Sequence, residues 1–202
     1  AEVEARCLLP DGTVLTKSYE VAPRSRFNVW ADLESFDGIG GHPLGDTAVS
    51  AVFTSTNGVP VVVERAMWWP KGPDAWFEGH NAAGALEPGT KWALAEGEVG
   101  GPSNAQTYIL IANTSEADAL VEVKLVYEDG TTSTSLITVK GDSRANFDVA
   151  FEVPTARGRR FGAVVESLGG NPAQIVVERA MYSDAGGVRW AAGTNSLATR
   201  LR

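Results

Sequence analysis

The sequence predicts an all-β protein built from two tandem immunoglobulin-like antiparallel β-sandwich units, residues 1–89 and 90–202. Three observations lead there. Apolar residues alternate with polar ones in short stretches, turn chemistry separates these stretches at intervals of about ten residues, and one half of the chain repeats the other.

The repeat is read directly. Val3-Glu4 matches Val121-Glu122, Asp11-Gly12-Thr13 matches Asp129-Gly130-Thr131, and Ser25-Arg26-x-Asn28 matches Ser143-Arg144-x-Asn146, all at a spacing of 118. Val62-Val63-Glu64-Arg65-Ala66-Met67 then recurs as Val176-Val177-Glu178-Arg179-Ala180-Met181, and Trp76-x-x-Gly79-x-Asn81 as Trp190-x-x-Gly193-x-Asn195, now at 114. The second copy has therefore lost four residues, expected in the loop at 37–46, whose counterpart at Pro154 to Arg160 is shorter and basic.

The strands follow in order. Val3, Ala5, Cys7 and Leu9 alternate with polar residues, Asp11-Gly12 signals a hairpin turn, and Val14 to Val21 forms the return strand. Val49 to Ser55 and Pro60 to Trp68 come next, on either side of Asn57-Gly58. In the second copy the same plan gives Val121 to Tyr127, Leu136 to Val139, Gly162 to Ser167 and Gln174 to Tyr182. No segment carries helical periodicity over three turns. Cys7 falls opposite Leu125 on the core face and reads as a buried, inert thiol.

The copies differ at their starts. Lys91 to Gly97 and Tyr108 to Ala112 look like strands ahead of Val121, and nothing equivalent precedes Val3. Either they open the second unit or they close the first. An unfinished sandwich exposes a sheet edge, which proteins avoid. The expectation is a longer polypeptide, or other protein chains that complete the unit by β-strand addition.

The set Trp92-x-Leu94-Ala95-Glu96-Gly97, Ile111-x-Asn113, Ser143-Arg144-x-Asn146, Val177-Glu178-Arg179-Ala180-Met181-Tyr182 and Gly193-x-Asn195 resembles an uncharacterised family of tandem-repeat domains in secreted and surface proteins of bacteria. The resemblance implies a β-sandwich and export to the bacterial surface or medium, and it implies no known enzymatic activity. The chain departs from the family pattern at its start, where the Ala-Glu-Gly element of the first copy is missing.

The chemistry-bearing residues each have a structural role open to them beside a functional one. Glu64 and Glu178 interrupt apolar strands, but a retaining glycosidase needs two carboxylates about 5 Å apart, and equivalent positions in two units supply one each. A structural ion pair is expected instead, Arg26 with Glu64 and Arg144 with Glu178, because charges inside strands are paired or face solvent. His42 and His80 lie in unlike loops without further ligands. Asp32, Asp37 and Asp46 are the acids a calcium site would draw on, yet their spacing fits no ligand pattern. Asn113-Thr114-Ser115 fits a glycosylation sequon, a short pattern that many chains carry unused. Trp68, Trp69 and Trp76 cluster around a Pro-Lys-Gly-Pro turn; they read as an interface seal, with a carbohydrate platform as the alternative.

Charge and composition exclude other classes. A net charge of −8 opposes phosphate backbones and anionic lipid, so no nucleic-acid partner is expected. No stretch nears the roughly 20 apolar residues of a membrane span, so no membrane insertion is expected either. The expectation is a non-catalytic structural or adhesive module without a cofactor, secreted or on the bacterial cell surface. A glycan-binding module is the alternative.

Overall fold

The chain was analysed as a computed structural model that describes residues 1–72 and 75–202, with side chains described outside 70–77. It is all-β apart from short helical turns. The first repeat contributes β1 (Glu2–Leu8), β2 (Val14–Glu20), β3 (Ser50–Ser55), β4 (Glu64–Gly72) and β5 (Ala75–Ala83). The second contributes β6 (Lys91–Val99), β7 (Gln106–Asn113), β8 (Ala119–Tyr127), β9 (Thr132–Val139), β10 (Ser143–Asp148), β11 (Arg159–Leu168), β12 (Ile175–Ala185), β13 (Val188–Leu197) and β14 (Thr199–Arg200). Among the described residues one α-helical turn, α1 (Val149–Glu152), starts where the Asp148 carboxylate accepts from the amides of Ala150 and Phe151.

The second repeat closes into a sandwich. One sheet has the order β10-β7-β12-β13 and the other β14-β6-β11-β8-β9, with every strand pair antiparallel. Alternation puts Ile109, Ile111, Val121, Val123, Leu125, Val165 and Val177 between the sheets, all fully buried. Each contributes about 1.5–3 kcal/mol by leaving water. The segments at Lys91 and Tyr108 thus belong to this unit as β6 and β7. They are central strands: β6 lies between β14 and β11, and β7 lies between β10 and β12.

The first repeat copies these pairings as far as its strands allow. Glu2 faces Glu20 in β1–β2 as Leu120 faces Thr138 in β8–β9, an offset of 118. Glu64 faces Ala83 in β4–β5 as Glu178 faces Leu197 in β12–β13, an offset of 114. Between them, Val3 faces Ser55 as Val121 faces Ser167, so the offset at β3 is 112. The net loss of four residues is therefore two events: a shorter loop before β11, and a longer turn between β11 and β12.

Among the described residues of 1–89 there are no counterparts of β6 and β7, and the first repeat's strands form two separate sheets. One is the sheet β2-β1-β3; the other is the hairpin β4–β5. The loop predicted at 37–46 tucks beneath the sheet, where Phe36 and Leu44 pack on Cys7 and Leu15 in place of a second layer. The hairpin packs through β5 on β13 of the second repeat. The sheet is tied to that repeat by polar contacts, Arg6 to Asp142 at 2.8 Å and Lys140 to the Asp11 carbonyl at 3.1 Å.

Candidate functional site

Residues Val61–Val63 mark the clearest break in the repeat. Three consecutive valines favour strand, and their counterparts Ile175–Val177 are strand, paired with Asn113, Ala112 and Ile111 of β7. In the first repeat they are not strand, and Val62 is 99% exposed. Propensity alone does not make a strand; the backbone N–H and C=O groups need a ladder to pair with.

The same cause acts on three further elements. Ser143–Asp148 is strand because it pairs with β7, whereas the matching residues 25–30 form no strand and lie exposed, with Phe27 and Trp30 turned to solvent. The strand expected from Pro60 begins instead at Glu64. On β3, Phe53 holds the place of the fully buried Val165 and is 37% exposed. In β11 that position faces Trp92 of β6, and the β3 edge has no such neighbour in the sheet. Two strand positions that are filled in the second repeat are thus unfilled in the first, one beside β3 and one beside β4.

A polar cluster sits where the hairpin meets the second repeat. Arg65 approaches Glu178 at 3.1 Å, off-line, so that its buried Nε and Nη2 make no hydrogen bond. Asn195 Nδ2 donates to Glu178 at 3.2 Å. Arg144, 7% exposed, donates from Nη2 to Asn146 at 2.6 Å, and its Nε lacks a partner. Burial pushes the Arg144 guanidinium down to about 10, Arg65 adds to this, and Glu178 opposes it. Burial and then Arg65 hold the imidazole of His80 below its ordinary value, and both its nitrogens are buried without a hydrogen bond. Above it, Trp69 packs edge-on to Tyr182 at 5.4 Å and donates from Nε1 to the Trp190 carbonyl at 3.1 Å.

The ion pairs expected of Arg26 with Glu64 and of Arg144 with Glu178 do not form. Arg26 donates to its neighbour Asn28 at 3.0 Å, and Glu64 accepts from Asn81 at 2.6 Å. The second repeat copies both bonds, Arg144 to Asn146 and Asn195 to Glu178. Strand order gives the reason. Arg144 on β10 and Glu178 on β12 are separated by β7, two strand spacings of about 4.8 Å each. The glutamates instead find the amide on the adjacent strand. Arg65, placed by alternation on the face opposite Glu64, meets a glutamate of the other repeat.

Of the tryptophans, Trp69 is engaged in the interface, Trp68 is 43% exposed, and the side chain of Trp76 lies outside the described residues. Trp69 is half-buried, with its indole N–H committed to the interface. Burial, with Glu34 adding, pushes the Cys7 thiol up, away from the reactive thiolate. Asn113 is fully buried; its amide donates to the carbonyls of Ala117, Val139 and Lys140 at 2.8–3.1 Å, so the sequon nitrogen is occupied. Among the described residues no three of His, Cys, Asp and Glu gather to hold a metal ion, Asp32, Asp37 and Asp46 included. Among them, too, no helix is long and apolar enough to cross a membrane.

No family model matches the chain, and none of the curated proteins matches it. Among solved structures, the chain is similar to the Thermotoga maritima protein 1070, with 13% identity and a TM-score of 0.47 over 56% of this chain and 95% of that one. It is also similar to the Anabaena sensory rhodopsin transducer, with 23% identity and a TM-score of 0.40 over 46% of this chain and 86% of that one. Neither overlap is close enough to transfer a role.

Proposed function

We propose that the chain is a non-catalytic structural or adhesive module of a secreted or surface-exposed bacterial protein, acting through protein contacts made by β-strand addition to its first repeat. The vacant strand positions beside β3 and β4 carry this reading. Edge strands with unpaired N–H and C=O groups are templates for another chain, and natural proteins normally cover them. β3, with the sequence Ser-Ala-Val-Phe-Thr-Ser, carries neither a charge nor a proline of the kind that blunts an edge. The glycan reading is weakened by the engagement of Trp69 with Trp190 and Tyr182.

A photo-reactive side chain placed at Phe53, in the cells that produce the protein, tests the reading. Cross-links that map to an extended protein segment running alongside β3 are expected. Cross-links to glycan, or none, would overturn it.

A further inference from the structure

We infer that the outer face of the β4–β5 hairpin is a docking surface for a β-hairpin of a partner protein, one that presents an arginine and a tryptophan four residues apart on one strand. It is a sheet face, distinct from the strand edges to which the strand-addition reading applies. The junction of the two repeats shows what such a face accepts. Side chains alternate across a strand, so Arg65, Met67 and Trp69 share one face of β4, and Glu64, Ala66 and Trp68 share the other. The first of these faces docks on β12–β13. There Arg65 reaches Glu178, Trp69 packs on Tyr182, and its indole N–H bonds the Trp190 carbonyl. The Trp69 ring lies so close to Gly193 that a Cβ on that residue would stand 2.5 Å from its Cη2.

In the duplication, Glu178, Ala180, Tyr182, Gly193 and Asn195 correspond to Glu64, Ala66, Trp68, Gly79 and Asn81. The register agrees: Ala180 faces Asn195 and Tyr182 faces Gly193, as Ala66 faces Asn81 and Trp68 faces Gly79. The amide-to-carboxylate bond is kept as well, Asn195 to Glu178 at 3.2 Å and Asn81 to Glu64 at 2.6 Å. The junction is therefore heterologous, the inner face of one hairpin seated on the outer face of the other. In the second repeat that outer face is covered, with Ala180 buried. In the first repeat Glu64, Ala66, Gly79 and Asn81 are exposed, and so is Trp68.

Donor and acceptor faces do not balance within the chain. Among the described residues there are two outer faces of this kind and one arginine-bearing face available to dock. Arg179, the equivalent of Arg65, is buried in its own sandwich and donates to the Glu96 carboxylate at 2.8 Å. A second copy of the chain has no further donor face to lend, so the occupant comes from a different protein. Its arginine pairs with the Glu64 carboxylate in a charge-assisted contact, and its tryptophan lies against Gly79 and Trp68. Arginine and tryptophan are also the side chains that most often dominate protein interfaces.

The probe is a head-to-tail cyclised peptide with the sequence of residues 61–83, carrying Glu64→Gln and Trp68→Thr so that it offers no acceptor face of its own. It is added to the full chain and followed by fluorescence polarisation, with carbodiimide labelling of each carboxylate read by mass spectrometry. Saturable binding that protects Glu64 from labelling is expected. Peptides that also carry Arg65→Gln or Trp69→Ala should bind at least about tenfold more weakly, and so should the full chain carrying Glu64→Lys, an exposed position. Because a free hairpin is marginally stable, the same segment is also joined by a flexible linker after Arg202, where protection of Glu64 is again expected. Unprotected Glu64 in both formats, or binding indifferent to Arg65, Trp69 and Glu64, overturns the inference. Binding without protection of Glu64 overturns it too, since the peptide then replaces the chain's own hairpin on Glu178.

Discussion

Arg65 and Glu178 meet at 3.1 Å across the junction of the two repeats, an ion-pair contact between residues that are not equivalent in the duplication. Each belongs to a Glu-Arg-Ala-Met segment, yet the arginine of one copy reaches the glutamate of the other. The contact joins a hairpin that has lost its own sandwich to the outer face of a complete one. It also places the Glu178 carboxylate near two guanidinium groups, since Arg144 feels the same charge.

Replacing Glu178 with Gln should therefore affect both parts of the molecule. With two arginines left uncompensated in a half-buried setting, about 1–3 kcal/mol of stability should be lost. Arg65→Ala should instead free the β4–β5 hairpin and leave the sandwich intact. Hydrogen exchange separates the two: in Arg65→Ala, protection falls in β4 and β5 but persists in β8 and β11. Equal loss across all strands would refute the assignment.

His80 makes hairpin docking sensitive to pH. Its folded value lies below the ordinary 6.5 because it is buried beside Arg65, so the undocked state takes up the proton first. The neutral ring's contribution is fully present above that ordinary value and declines as pH falls through it toward the lowered one. As pH falls from about 7.5 to about 5.5, base catalysis of exchange weakens, and the β5 amides should show an excess over the slowed rate. The His80→Phe variant should show no such excess.

Asn113 is a structural keystone of the β7 end rather than a glycan acceptor. Asn113→Ala removes the donor to three carbonyls, of which that of Lys140 keeps its bond from Ser143 Oγ, and should cost roughly 1–3 kcal/mol, read from urea unfolding. Asn113→Asp should fare little better, because a carboxylate cannot donate to carbonyls. Expressed with glycosylation machinery, the folded chain should carry no sugar at this position.

The valine runs of the two repeats should respond differently to truncation. Ile111→Ala opens a cavity in the closed core and should cost about 2–5 kcal/mol. Val62→Ala, on the unpaired and exposed stretch, should stay within about 0.5 kcal/mol. A large loss at Val62 would mean that this segment is already packed.

Period-two patterning made β7, β8 and β11 legible, because Ile109, Ile111, Val121, Val123 and Val165 each fill one face of a fully covered strand. β5 and β13 were not, since an outer strand such as Val-Arg-Trp-Ala-Ala-Gly-Thr-Asn-Ser-Leu carries little apolar alternation. β10 was missed because it is short and held mainly by β7. The repeat identified which charged residues recur but not their partners: Arg144 and Glu178 recur faithfully, and the strand inserted between them decides that they pair elsewhere. The failure of Val61–Val63 to form a strand is likewise a property of the missing neighbour and not of the valines.

The most direct test of the proposed strand addition at the first repeat is amide exchange at Ala51–Thr54 and Val61–Val63, compared between the isolated chain and the protein in the cells that produce it. Exchange near that of an unstructured chain is expected at Val61–Val63 in isolation, with both segments slowed by about a hundredfold or more in the cell. Equal rates in the two states, with the β8 amides protected in both, would contradict it.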